Sequence, residues 1–194
     1  MKHLLLIAII IGLGILTRAE SEYSVVTDGT HKILKGLISR DMLEKDTAFL
    51  WFRQNHLAYT PDIETARQIR EKVSQVQFLV FTGTWCPEAQ YILPRFFSLL
   101  DAAAIPTDQV TLIGVDPEKK TVHHLTDDLH ISVIPTFIVL KNGHEIGRIT
   151  PNHKEYPWEK ELVRILCQDQ QPDFRAELPF QQTAPDQPAV RPLQ

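Results

Sequence analysis

The sequence predicts a three-layer α/β fold, in which a central β-sheet of mixed strand direction carries helices on both faces and follows an N-terminal helical extension. Short apolar runs at 76–82, 110–115 and 137–140 are typical of strands that are covered on both faces. Segments with helical apolar spacing separate these runs, so the order from residue 76 is β-α-β-α-β-β-α. The 194 residues, 43% hydrophobic and 23% charged, fit one globular domain with tails.

The first 19 residues are expected to be an export signal rather than part of the fold. A short basic start precedes an apolar run at 4–16, and Thr17-Arg18-Ala19 then supplies small residues around an expected cleavage point after Ala19. The apolar run is shorter than the roughly 20 residues of a membrane helix. We therefore expect an exported, periplasmic protein that contacts a membrane only if this leader stays uncleaved.

Residues 20–75 are predicted to form an extension, mainly helical, that packs on the core. Its first part, 20–36, has a few strand-like residues and is expected to be a loose lead-in. Aromatic and aliphatic residues from Ile38 to His56 predict one or two helices. Thr60-Pro61-Asp62 predicts the start of a further helix over 61–75, with Thr60 as its cap.

The core is predicted to cover residues 76–170 and to begin with a buried strand, Val76 to Thr82. Pro87 opens the helix that follows, and Pro94 should kink this helix because proline removes a backbone donor. The later predicted elements are a strand at 110–115, a helix at 118–129, strands at 137–140 and 145–149 around an Asn142-Gly143 turn, and a closing helix at 158–167.

Composition argues against an ordered C-terminal segment and against nucleic-acid binding. Residues 171–194 contain five Pro and five Gln and are expected to be disordered. The formal net charge is −4, and it would become −6 without the leader, which carries Lys2 and Arg18. No clustered basic residues remain to neutralise phosphates, so nucleic acid is excluded as a partner.

Cys86 is the strongest candidate for chemistry. It precedes Pro87 at a predicted helix start, where unpaired backbone N–H groups stabilise a thiolate and should lower the pKa of the thiol. Glu88 would act in the opposite direction if its carboxylate turned toward the sulfur. A strand-to-helix junction at the carboxyl edge of a sheet is usually exposed, which favours a reactive thiol over a buried, inert one.

A second signal lies about fifty residues downstream, in Val133-Ile134-Pro135-Thr136-Phe137. A proline can open a strand, and a cis peptide bond before it would be a specific structural feature. Without further context, base rates favour a trans proline that simply initiates a strand.

Taken together, these segments resemble the thioredoxin superfamily. The resemblance covers 78–167 and rests on the apolar strand, Trp85-Cys86 at the helix start, Pro94 eight residues later, Ile134-Pro135-Thr136 and the closing helix. FTGTWCPEAQ followed by LPRF is further similar to exported thioredoxin-family proteins of Bacteroidetes-type bacteria, which also carry a helical segment before the first core strand.

The resemblance implies a thioredoxin-like fold in which Cys86 is the attacking thiol. Pro135 would be cis and would face Cys86, and the backbone of Ile134 would pair with an extended substrate segment. Trp85 and Pro87 would belong to the substrate-binding rim. The implied partners are protein thiols and disulfides together with an external thiol reductant, and we expect a monomer.

Two departures from the family pattern affect the same step. Ala89 stands where a resolving cysteine is expected, and Val80 stands where thioredoxins bury an acid that helps to move protons. Cys167, the other cysteine of the exported chain, is predicted to be a small core residue some 15 Å along the last helix, too far to form a disulfide with Cys86. A one-thiol exchange resolved by an external thiol therefore remains, and makes an oxidoreductase or isomerase activity the favoured function.

Two alternatives stay open: a non-catalytic thioredoxin-like module that binds peptides between Trp85 and Pro135, and a sensor that reports oxidation of Cys86. No cofactor-binding signature is present in the sequence. His123-His124, His130 and His144 lack the spacing of a metal site, so no metal is expected.

Overall fold

The computed structural model describes residues 23–29, 31–151, 153 and 156–168. The predicted leader at 1–19 and the predicted tail at 171–194 lie outside these residues. Within the described residues, no helix is long and apolar enough to cross a membrane.

Six strands and six helices make up this part of the chain. The strands are β1 (Tyr23–Asp28), β2 (His31–Ile38), β3 (Val76–Thr82), β4 (Val110–Gly114), β5 (Thr136–Lys141) and β6 (His144–Ile149). The helices are α1 (Arg40–Lys45), α2 (Leu50–Leu57), α3 (Ile63–Lys72), α4 (Pro87–Ala102), α5 (Leu125–Asp128) and α6 (Trp158–Gln168), with short 3-10 turns at Thr47–Phe49, Thr107–Gln109 and Val122–His124.

The strands form one mixed sheet in the order β1-β2-β4-β3-β5-β6. Only β3 and β4 run parallel, and every other neighbouring pair is antiparallel. Central β3 is paired on both sides over its length, which agrees with its continuous apolar sequence. The predicted α/β class, with helices on both faces of a mixed sheet, is confirmed.

Alternating strand residues divide the interior into two clusters, one on each face of the sheet. Phe78 and Val80 of β3 belong to the larger cluster, which contains the buried residues of α1, α2, α3 and α6 and most of those of α4. Phe81 of β3 belongs to the smaller cluster, against which Leu125 of α5 packs. Cys86 lies in this smaller cluster, so the candidate thiol and Val80 face different parts of the core.

Aromatic packing fixes α4, the helix that carries Cys86, against the sheet. The ring of Phe96 lies 5.4 Å from that of Phe78 in an edge-on arrangement and 4.8 Å from that of Phe137. Such pairs add about 0.5–1.5 kcal/mol each beyond the burial of their surface. At the opposite end of α4, Arg40 of the extension donates two hydrogen bonds, of 2.7 and 2.8 Å, to the Asp101 carboxylate.

Three sequence predictions need correction. The loose lead-in predicted at 20–36 is wrong for the described residues 23–29 and 31–36, because β1 pairs with β2 over 23–28 and 31–36 and β2 continues the sheet beside β4. The cap of α3 is Asp62 and not Thr60, since the Asp62 carboxylate accepts a hydrogen bond of 2.8 Å from the Thr65 backbone N–H. The predicted helix at 118–129 shrinks to α5, because His123 and His124 before it have positive φ angles.

Candidate functional site

Cys86 lies where the loop after β3 turns into α4. Its backbone N–H donates to the Gly83 carbonyl at 3.0 Å, which closes a tight turn, and its own carbonyl accepts from Gln90 N at 2.9 Å. The residue is therefore the N-cap of α4, and Pro87 takes the first helical position, where its missing N–H has no cost. The sequence prediction of Cys86 at a strand-to-helix junction agrees with this arrangement.

The sulfur of Cys86 lies in a largely apolar pocket with two oxygen acceptors. The residue is 5% exposed. Its Sγ lies 3.4 Å from Oε2 of Glu88 and 3.6 Å from the carbonyl oxygen of Ile134, and the thiol can donate its proton to either. The Ile134–Pro135 peptide bond is cis. The helix start and the proline segment, 48 residues apart in sequence, thus meet at the sulfur.

This environment raises the pKa of the Cys86 thiol above its ordinary value. Burial is the main cause, and the Glu88 carboxylate adds to it. The backbone N–H groups of Ala89 and Glu88 act in the opposite direction without offsetting the rise. Two expectations from the sequence are therefore wrong: Cys86 is not exposed, and its pKa is raised rather than lowered, because desolvation and a facing carboxylate outweigh the lowering effect of the helix N-terminus.

The other predicted site residues differ in how deeply they are buried. Ile134 is 7% exposed and Pro135 is buried, whereas Pro87 is exposed. Trp85 is half-buried beside the smaller cluster, and its indole Nε1–H donates to the Val115 carbonyl at 2.9 Å. The indole is thus held on the loop after β4, next to the thiol.

Gly83 is required for this position of the indole. A Cβ atom built on Gly83 would lie 2.7 Å from two atoms of the Trp85 ring, well inside contact distance. Any larger residue at 83 would push the ring away from Val115.

Thr84 is a structural residue of the site that sequence reasoning missed. Its hydroxyl donates to the Lys32 carbonyl at 3.0 Å and accepts from the Leu34 N–H at 3.3 Å, so it bonds to β2 beyond the point where β4 ends. Gln90 of α4 donates to the Thr84 carbonyl at 2.8 Å. The N-terminal hairpin therefore supports the loop before Cys86 directly, and no local sequence signal identifies such a contact across fifty residues.

A second thiol is missing from the surroundings of Cys86. Ala89 is fully buried in the same cluster as Cys86, at the position where the resemblance implies a resolving cysteine. Cys86 and Cys167 are both free thiols. Cys167 is exposed near the end of α6, so the prediction that it is a core residue is wrong.

The histidines show no metal-binding arrangement in the described part of the chain. His123, His124, His130 and His144 are all exposed. No group of three or more His, Cys, Asp or Glu side chains among the described residues is placed to hold an ion.

The chain matches the family model described as Thioredoxin over residues 62–162, just over half of its length. A TPR repeat-containing thioredoxin TDX of Arabidopsis thaliana is 28% identical over 46% of this chain and 22% of its own length. Thioredoxin Y, chloroplastic, of Oryza sativa subsp. japonica is 30% identical over 42% of this chain and 45% of its own. A thioredoxin of Echinococcus granulosus is 30% identical over 36% of this chain and 59% of its own.

Among solved structures, Fasciola hepatica thioredoxin aligns with a TM-score of 0.36 at 19% identity, over 50% of this chain and 88% of that one. The chain spans less than two thirds of the length of each of the three curated relatives described above. The family match over more than half of the sequence nevertheless shows that this chain belongs to the thioredoxin family.

Proposed function

We propose that this protein performs thiol–disulfide exchange with other proteins through Cys86 alone. The observation that carries the proposal is the 3.6 Å separation between the Cys86 sulfur and the carbonyl oxygen of Ile134, next to the cis peptide bond of Pro135. An extended polypeptide that pairs with the Ile134 backbone would bring its disulfide to the sulfur. The relatives named as thioredoxins support a redox role of this general kind.

The reaction has two balanced steps. In the first, the Cys86 thiolate attacks one sulfur of a protein disulfide, a mixed disulfide forms, and the other protein sulfur leaves as a thiolate. In the second, an external thiolate attacks the mixed disulfide and expels the Cys86 thiolate. To complete net reduction, a second external thiol attacks the disulfide between the client and the first external thiol, which releases the client thiol and leaves the two external thiols joined as a disulfide. If another thiol of the same client attacks the mixed disulfide with Cys86 instead, the net result is rearrangement of the client's disulfides.

The chemistry of Cys86 makes the intermediate of this reaction persistent. A raised pKa keeps the thiol protonated near neutral pH, so attack is slow, and it also makes the sulfur a poor leaving group. Ala89 provides no internal thiol to break the bond. The proposed activity is therefore slow, one-thiol exchange or isomerisation with a long-lived covalent complex.

Burial of the sulfur also favours a second candidate, a non-catalytic module that binds extended peptides between Trp85 and Pro135. A thiol that is 5% exposed and protonated is suited to packing as well as to chemistry. The third possibility, an oxidation sensor, has less support because such sensors need an exposed, ionised thiol.

The setting of the exchange is part of the proposal. The leader-like sequence at 1–19 and the similarity of FTGTWCPEAQ to exported proteins of Bacteroidetes-type bacteria support a periplasmic protein, and the proposal takes it to act as a monomer. Its partners would be exported proteins with thiols or disulfides and an external thiol reductant, and the chemistry needs no metal or cofactor.

Reactivation of scrambled ribonuclease by the full chain in the presence of a small thiol tests this function. Exchange predicts reactivation by the Cys167→Ala variant, loss of reactivation in Cys86→Ser, and a mixed disulfide on Cys86 in the intact mass. A non-catalytic module predicts no reactivation by either variant and equal binding of reduced, unfolded ribonuclease by both. The second result would overturn the exchange proposal.

A further inference from the structure

Glu88 is a charged side chain that contacts the Cys86 sulfur, and neither step of the proposed exchange uses it. Its Oε2 lies 3.4 Å from Cys86 Sγ, on the first turn of the same helix. The buried apolar residues in the same cluster as Cys86 are Phe81, Ala89, Ile113, Val115, Ile131, Ile134 and Ile138. Because the sulfur is only 5% exposed, water screens the charge of the carboxylate less than it would at an open surface.

No cation among the described residues offsets this carboxylate. None of the ion pairs in this part of the chain includes Glu88. The side-chain amide of Gln90, two residues further along α4, donates to the Thr84 carbonyl at 2.8 Å and not to Glu88.

The two acceptors at the sulfur favour the same protonation state. A thiol can donate to Glu88 Oε2 or to the Ile134 carbonyl, whereas a thiolate would face a negative carboxylate and a carbonyl dipole with no proton to share. The arrangement stabilises S–H and destabilises S⁻. The Cys86 sulfur must carry negative charge both when it attacks and when it leaves.

We propose that Glu88 is a brake on exchange at Cys86, which slows both the formation and the release of the mixed disulfide and so prolongs the covalent complex with a client. This inference rests on the proposed exchange function and names a residue that controls the rate of that exchange. During attack the Cys86 proton passes to solvent or to the departing thiolate, so no further reactant is required. During release the external thiolate forms a disulfide with the client, and Cys86 leaves as a thiolate against the Glu88 carboxylate and is then reprotonated.

The test uses the full chain with Cys167→Ala, and compares it with the same chain carrying Glu88→Gln. The probe is the uncharged bis(2-hydroxyethyl) disulfide, and 2-mercaptoethanol releases the product, so that attraction or repulsion of a charged reagent does not contribute. Intact mass follows both rates from about pH 6 to about pH 10, a range that spans the ordinary thiol titration. Glu118→Gln removes the same charge from an exposed residue after β4 and is the matched control.

Glu88→Gln is expected to speed attack near neutral pH by about threefold for each pKa unit it removes, because tenfold more thiolate outweighs a roughly threefold loss of nucleophilicity. Release should also be faster, because the leaving group is better. Above the titration of both variants the order of attack rates should reverse, since the less basic thiolate is the weaker nucleophile. Glu118→Gln should follow the parent at every pH.

The possible outcomes separate the brake from the exchange itself. Mixed disulfide that forms at the same rates in the parent and in Glu88→Gln overturns the brake and leaves exchange intact. A uniform change at all pH values, without the reversal, also overturns the brake, because it indicates a purely structural effect. The absence of mixed disulfide in the parent at any pH overturns both proposals.

Discussion

The side-chain amide of Asn55 donates a hydrogen bond of 3.1 Å to the backbone carbonyl of Gln90. In an uninterrupted helix that carbonyl would accept from the N–H of residue 94, but Pro94 has none. Asn55 also donates to the Trp51 carbonyl at 3.1 Å within α2, so the bond from Asn55 to Gln90 joins α2 to α4. The extension thereby satisfies a polar group that the proline leaves free in the helix that begins at Cys86.

Asn55→Ala should destabilise the fold by about 1–3 kcal/mol, because it leaves the Gln90 carbonyl without a donor in a partly buried position. Urea unfolding measures the change. Pro94→Ala restores the helical donor, so the cost of Asn55→Ala should fall by about 1 kcal/mol in that background. Equal costs in the two backgrounds would show that Asn55 does not serve the carbonyl freed by Pro94.

Thr84→Val should loosen the N-terminal hairpin from the loop before Cys86. The substitution keeps the shape of the side chain but removes both hydrogen bonds to β2, at a cost of about 1–3 kcal/mol. Thr84→Ser retains the hydroxyl and is the control. Amide hydrogen exchange at Leu34 should accelerate in Thr84→Val and not in Thr84→Ser, and unchanged exchange in both would contradict the role given to Thr84.

Alanine substitution should affect Gly83 and Gly114 to different degrees. A Cβ at Gly114 would lie 2.2 Å from the Leu34 carbonyl oxygen, which is backbone of β2, whereas a Cβ at Gly83 would meet the movable Trp85 ring. We expect Gly114→Ala to lower the unfolding midpoint more than Gly83→Ala. Gly83→Ala should instead change the tryptophan fluorescence, and the reverse order of midpoints would count against this packing.

Alkylation of Cys86 should have a midpoint at a higher pH than that of an unfolded cysteine peptide, because burial and Glu88 raise its pKa. Iodoacetamide rates of the Cys167→Ala variant against pH give the midpoint. The neutral thiol also stabilises the fold: this contribution is complete below the unfolded value of about 8.5 and is lost as pH rises through the folded pKa. Cys86→Ser should remove that alkaline loss of stability, and a midpoint at or below the peptide value would contradict the assigned environment.

Much of the core architecture was predictable because its signals are local. The run Phe78–Phe81 is apolar throughout, and the strand Val76–Thr82 that contains it lies in the sheet centre as predicted. All six residues of β1 are exposed, so this strand has no buried face to produce an alternating pattern. The exposure of Cys167 was predictable in principle, since the residue follows buried Leu166 by about 100° around the helix and leaves the apolar face.

The electrostatics of the site could not be predicted from the neighbouring sequence. Trp85-Cys86 at a helix start indicates an activated thiol, but Ile131 and Ile134 bury the sulfur from about fifty residues downstream. The rotamer that turns Glu88 toward Cys86 likewise depends on packing rather than on sequence spacing. These two contacts reverse the sign of the predicted pKa shift.

The lifetime of the mixed disulfide on Cys86, followed by intact mass after removal of excess disulfide, tests the one-thiol account most directly. In the Cys167→Ala chain the adduct should persist until an external thiol is added. In the same chain with Ala89→Cys, a thiol three residues on should expel the bound group and leave an internal disulfide. An adduct that decays in the parent without added thiol, or a parent that forms no adduct, would contradict the account.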